Sequence, residues 1–123
     1  MKLYLLSGII LLYLLVLVFF YFYQRSFLYF PELNNYLTKE TINEDNQKLT
    51  VNTSDDISLK SYYYSNKNNT HTILFLHGNA GTLENRIYKL NAIKRLGFNY
   101  LAISWRGFSG NQGEPSEFGL TQD

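Results

Sequence analysis

Thr72-Ile73-Leu74-Phe75-Leu76-His77-Gly78-Asn79-Ala80-Gly81 is the stretch on which the reading of this chain turns. Its first five residues are β-branched, aromatic or leucine with no polar alternation, which predicts a strand buried on both faces of a parallel sheet. Five residues are too few for a free-standing helix, and Gly78 and Gly81 close the run within a turn. From Thr82 the sequence becomes helix-like. The stretch therefore passes from strand to loop to helix, where α/β proteins place their chemistry.

Downstream, residues 84–96 set Ile87, Leu90, Ile93 and Leu96 near one face, with Arg86, Lys89 and Arg95 mostly elsewhere. That spacing predicts an amphipathic helix capped by Gly97. Residues 98–105 read as the next strand, so strand, helix and strand make a βαβ unit with parallel strands and a right-handed crossover. A glycine-rich loop follows at 106–115, in which an ion pair between Arg106 and Glu114 is expected as a brace. Ser116-Glu117 opens another helix, on which Glu117 and Asp123 are expected as solvated residues.

Upstream, residues 48–53 and 57–64 are strand candidates joined by the turn-forming Ser54-Asp55-Asp56, a loosely two-faced hairpin. Residues 34–47 are polar and read as a connector with one short helical turn at most. Residues 26–31 remain aromatic, suited either to the headgroup level of a membrane or to packing on the globular part. Residues 3–23 are apolar except for Ser7 and Gly8. At about 1.5 Å per residue that run reaches roughly 30 Å, the thickness of a bilayer's hydrocarbon layer. It ends in Phe19-Phe20-Tyr21-Phe22-Tyr23 instead of the small residues of a cleavage site, which favours an uncleaved anchor with an aromatic belt. The expected division is residues 1–25 as a transmembrane signal-anchor helix, 26–46 as a juxtamembrane connector and 47–123 as a partial domain. The chain is expected in a membrane, crossing once. Lys2 on one side balances Arg25 and Lys39 on the other, so basic residues do not set its orientation.

The chain has 123 residues, a formal net charge of +1 and no cysteine. The balanced charge offers no nucleic-acid footprint. Absence of cysteine removes disulfides, thiolate nucleophiles and thiolate-ligated metals. No metal or phosphate motif is present, and no cofactor is expected.

His77-Gly78-Asn79-Ala80-Gly81 after one strand, with Arg106-Gly107-Phe108-Ser109-Gly110 and Gly113-Glu114-Pro115-Ser116-Glu117 after the next, resembles the N-terminal part of α/β-hydrolases. More narrowly, it resembles a membrane-anchored branch of serine hydrolases. The resemblance covers residues 47–123, and the leading anchor suits that branch. Ser104-Trp105 departs from the Asp-Tyr that many members carry. The implied fold is α/β: a transmembrane helix, then an incomplete hydrolase sheet of a leading hairpin and one βαβ unit, truncated before the nucleophile elbow. The resemblance also implies that the backbone N–H groups of Asn79 and Ala80 serve an oxyanion hole, which needs fixed donors facing the developing charge. It makes His77 a brace of the loop and not a general base, and it makes Gly78, Gly81, Arg106 and Gly107 structural. His71 reads as a surface residue.

The nucleophile is the gap. Gly107-Phe108-Ser109-Gly110-Asn111 approaches G-x-S-x-G but fails at its last position, continues as loop instead of helix, and has no histidine after it. No catalytic residue is therefore assigned. In the resembled sheet the strand ending at Leu76 would have a further strand beside it, and without that strand an edge and much of both faces lie open. A large side chain deprived of burial forgoes about 1.5 to 3 kcal/mol, against a net stability of about 5 to 15, so a stable solitary domain is not expected. Three readings stay open: a truncated hydrolase relative without activity of its own, half of a split hydrolase completed by a second, C-terminal polypeptide, and a non-enzymatic membrane interaction protein.

Overall fold

In the computed structural model, residues 2–31, 42 and 44–123 are described. The expected connector at 34–47 lies largely outside them. The apolar run forms one helix, α1 (Lys2–Leu28). An 18-residue window within its Tyr4–Leu28 stretch has a mean hydropathy of 2.7, and none of that window is buried by the rest of the chain. A span apolar on all sides and left unburied by the rest of the chain is suited to lipid, where its backbone is satisfied internally. Among the described residues it is the one helix long and apolar enough to cross a membrane.

A four-stranded mixed sheet follows, built from β1 (Gln47–Asn52), β2 (Ser58–Tyr64), β3 (Thr72–Leu76) and β4 (Asn99–Ile103) in the order β1-β2-β4-β3. β1 and β2 form the expected hairpin, with Val51 opposite Leu59 and Leu49 opposite Ser61. β2 runs antiparallel to β4, and β3 runs parallel to β4 with Leu76 beside Ile103. Helix α2 (Ile87–Arg95) makes the crossover between β3 and β4, and α3 (Glu117–Gln122) ends the chain.

The core lies on the face that α2 covers. Tyr62, Tyr100 and Ala102 from the sheet meet Leu83 and Leu90, with Ile73, Phe75 and Ile93 packed around them. Gly97, at φ +83°, turns the chain out of α2 as the sequence predicts, and its N–H donates to the Lys94 carbonyl. The helix expected from residue 84 begins instead as a 3-10 turn, Glu84–Arg86. There the Asn85 side chain reaches back to accept from the Thr82 N–H at 2.7 Å, which tightens the first turn.

The expectation that residues 72–76 are buried on both faces does not hold. Among the described residues β3 pairs with β4 alone and forms an edge of the sheet, and α2 shields only the Ile73 and Phe75 side. Leu74 and Leu76, on the other face, are 57% and 48% exposed. An apolar run without alternation reports what a strand is composed to bury, and here one cover is missing from the described residues.

Candidate functional site

Because β3 and β4 are parallel, the loops that leave them, at 77–83 and 104–116, open at the same end of the sheet. His77 joins them. It is buried, its Nδ1 lies 2.7 Å from the Gly78 carbonyl, and its Nε2 lies 3.3 Å from the Trp105 backbone nitrogen. A carbonyl at one nitrogen and an N–H at the other assign the neutral tautomer protonated at Nδ1. Burial lowers the pKa of His77 and the Arg86 charge adds to this, outweighing the opposing bond to Gly78. Protonation would also set a second N–H against that of Trp105. The Trp105 indole N–H in turn donates to the His77 carbonyl at 2.8 Å.

Behind the imidazole, Ser104 is fully buried, with its Oγ 3.2 Å from His77 Nε2 and 2.7 Å from Ser109 Oγ. Ser109 Oγ accepts the Leu83 N–H at 2.8 Å. A chain of hydroxyls thus ties the β4 loop to the segment that starts the crossover. Ser109, the near-match to a nucleophile, is buried and spends its hydroxyl in this contact. Lys60 closes the same region: its Nζ donates to the Ser109 carbonyl at 2.6 Å and lies 3.5 Å from Glu84, to which the Tyr62 hydroxyl also donates.

The loop at 78–82 is held from the side of α1. The Phe30 N–H donates to the Asn79 carbonyl at 2.8 Å, and the Gly81 N–H donates to the Phe30 carbonyl at 2.9 Å, a one-residue parallel bridge. Asn79 Nδ2 donates to the Leu28 carbonyl at 2.7 Å, one of the carbonyls a helix leaves unpaired at its C-terminus. Phe30 is thus tied to the globular part through its backbone, while its ring stays exposed. Arg86 fixes the Ala80 carbonyl at 2.7 Å, and Gly81 supplies a φ of +71°. These contacts use the carbonyls of Asn79 and Ala80, while their N–H groups meet no described acceptor. A Cβ placed on Gly78 would meet nothing within 4 Å, so this glycine leaves open space and relieves no crowding. A cavity of about 190 Å³ lies there, lined by Tyr29, His77, Gly78, Asn79, Trp105, Phe108 and Leu120.

Arg106 does not pair with Glu114, which is exposed. It reaches back to the β1–β2 turn and forward to α3. Its two terminal nitrogens donate to Asp55 at 2.8 and 3.0 Å, and its Nε donates to Asp123 at 2.7 Å. Asp123 also accepts the Arg106 backbone N–H, and its side chain has no exposed surface, contrary to the solvated residue expected. A fork of five donors between two carboxylates outcompetes a single exposed glutamate on the same loop. Hydrogen bonds from Arg106, then from Thr53, hold the Asp55 carboxyl at about 2 against its usual 3.8. The carboxylate form is thus favoured by folding, so its contribution is complete above the ordinary value and is lost as pH falls toward about 2. Asp55→Asn is expected to remove this part of the acid dependence, which melting curves of the full chain from about pH 2 to 6 would reveal as a flatter profile.

No family model matches the chain. Protein bem46 of Schizosaccharomyces pombe is 31% identical over 119 residues, which cover 89% of this chain and 40% of that protein. Lysophosphatidylserine lipase ABHD12 of Danio rerio is 40% identical over 53 residues, 42% of this chain and 14% of that protein. A crystal structure of an α/β-hydrolase from Vibrio vulnificus matches with a TM-score of 0.55 and 34% identity, over 66% of this chain and 28% of that one. The chain belongs with the α/β-hydrolases. It corresponds to an N-terminal portion of that fold and spans about two-fifths of the length of a curated relative such as bem46.

Within this α/β-hydrolase portion, sequence reasoning located the two loops but missed several residues that hold them. Ser104 and Trp105 read as a departure from the family pattern, yet they are the partners of His77. Asp55 read only as a turn residue, and Phe30 only as part of an aromatic collar. An extended Phe30-Pro31 just after a helix was the one local hint of a bridge.

Proposed function

We propose that this chain supplies the membrane anchor and oxyanion loop of a serine hydrolase and has no hydrolytic activity by itself. The observation that carries the reading is the pair of N–H groups at Asn79 and Ala80 that meet no acceptor among the described residues, on a loop whose carbonyls are fixed from both sides, beside an apolar-walled cavity. Fixed donors of this kind stabilise the negative oxygen of a tetrahedral intermediate. His77 braces that loop, Gly78 leaves it accessible, and Gly81, Arg106 and Gly107 shape it and its neighbour. Donors alone do not start the reaction, because acyl transfer needs a hydroxyl activated by a base. Ser109 is committed elsewhere, and His77 turns both ring nitrogens to structural partners. The substrate class is an ester, thioester or amide, and the name of the Danio rerio relative favours a lipid ester. Helix α1 crosses the membrane once.

A second reading draws on the β3 edge. Among the described residues this strand has one neighbour and exposes Leu74 and Leu76, so a complementing polypeptide that carries nucleophile, acid and histidine can add a parallel strand there. One experiment tests both readings. The full chain, purified in detergent, is expected to show no serine labelling by a fluorophosphonate probe and no hydrolysis of a short-chain nitrophenyl ester, and labelling would overturn the first reading. Co-expression with the remaining portion of a relative such as bem46 is expected to restore labelling on that partner. Its failure to co-purify with the chain would overturn the second.

A further inference from the structure

Arg25 is the basic residue in the last turn of α1. Among the described residues its guanidinium has no ion pair and no hydrogen bond. It borders a groove of about 270 Å³ where the end of α1 meets the start of α3, together with Gln24, Tyr29, Ser116, Glu117 and Phe118. Phe118 is 76% exposed, an aromatic ring that the chain leaves uncovered beside its apolar helix. Along α1, Arg25 follows the aromatic cluster at 19–23 and stands about 30 Å from Tyr4 at the helical rise, so a spanning α1 brings it out at the level of lipid phosphates.

We propose that this groove binds the headgroup of a zwitterionic phospholipid that carries both a phosphate and a primary amine. The inference rests on the reading that α1 crosses a membrane. Arg25 offers the planar, multiply donating cation that pairs with phosphate, and the Ser116 hydroxyl, whose oxygen accepts the Gly119 N–H, keeps its proton to donate in the same groove. Glu117, in the same wall, opposes a purely anionic headgroup and pairs with an ammonium group. The groove wall thus carries a guanidinium and a carboxylate, counterparts of the headgroup's own two charges. Tyr29 and Phe118 present apolar surface to the glycerol and upper acyl carbons.

The test uses the full chain reconstituted into phosphatidylcholine vesicles that also contain either phosphatidylethanolamine or phosphatidylglycerol. Vesicle flotation is scored first, and then the lipid retained after mild detergent extraction is read by native mass spectrometry. Phosphatidylethanolamine is expected to be retained over phosphatidylglycerol, and added inorganic phosphate is expected not to displace it. Arg25→Gln should lower retention about tenfold, the scale of one charge-assisted pair. Glu117→Gln should keep retention but shift it toward phosphatidylglycerol, and Lys67→Gln, on a distant loop, should change nothing. Unchanged retention in Arg25→Gln, an unchanged preference in Glu117→Gln, or displacement by inorganic phosphate would each overturn the site. A chain that fails to float overturns the membrane reading and the site with it, whereas a chain that floats with unselective retention overturns the site alone.

Discussion

Arg106→Met is expected to lower the stability of the full chain by about 3 kcal/mol, the low end of the range for breaking a buried ion pair. The Arg106 side chain is 8% exposed and that of Asp123 is 0%, so deleting the guanidinium strands a carboxylate that water cannot reach. Asp55, at 40% exposure, rehydrates more easily, which is why the upper end of the range does not apply. Removing Asp123 as well, in Arg106→Met with Asp123→Leu, should recover part of the loss, because replacing both partners by apolar groups leaves no orphan charge. Native-state proteolysis or thermal melting in detergent measures both variants. Equal stability of the single and double variants would show that the stranded Asp123 carboxylate is not what costs the stability.

Gly107→Ala is the second large effect, expected at about 2 to 4 kcal/mol from left-handed strain added to overpacking. Gly107 has φ +75°, and a Cβ there would stand 2.6 Å from Pro115 Cδ and 3.1 Å from the Gly113 carbonyl. Proline cannot rotate away, so the loop would have to open at the bond from the Gly107 N–H to the Gln112 carbonyl. Gly110 separates the two contributions. Its φ is +80°, but a Cβ there meets nothing within 4 Å, so Gly110→Ala should cost only the strain, about 1 kcal/mol. Melting temperatures of the two variants side by side give the steric part by difference.

Much of the architecture was legible because it follows from short-range patterns. The period of Ile87, Leu90 and Ile93 set the helix, and the β-branched run at 72–76 and the turn residues at 54–56 bounded the strands. Gly97 and Gly81 sit where the backbone turns left-handed, as a glycine after an element suggests. The polar partners were not legible. Asp55 meets Arg106 across 51 residues, and Asn79 meets Leu28 across the same separation. No period or spacing encodes such pairs, which exist only once the hairpin, the crossover and the anchor have been brought together. Glu114 was the natural guess for Arg106 because it is near in sequence. Burial decided otherwise, since Asp123 offers a carboxylate out of water and Glu114 does not.

The bridge between Phe30 and the 79–81 loop bears on how this protein can be handled. A shortened chain, made soluble by cutting away everything before Gln47, would lose more than its tether. The Asn79 carbonyl and side chain and the Gly81 N–H would each surrender a partner. Substituting a foreign membrane helix meets a phase requirement as well, because each residue inserted before Leu28 rotates its carbonyl by about 100° relative to the new span. Residues 28–30 are best treated as the first residues of the globular unit, and any fusion point belongs on their N-terminal side.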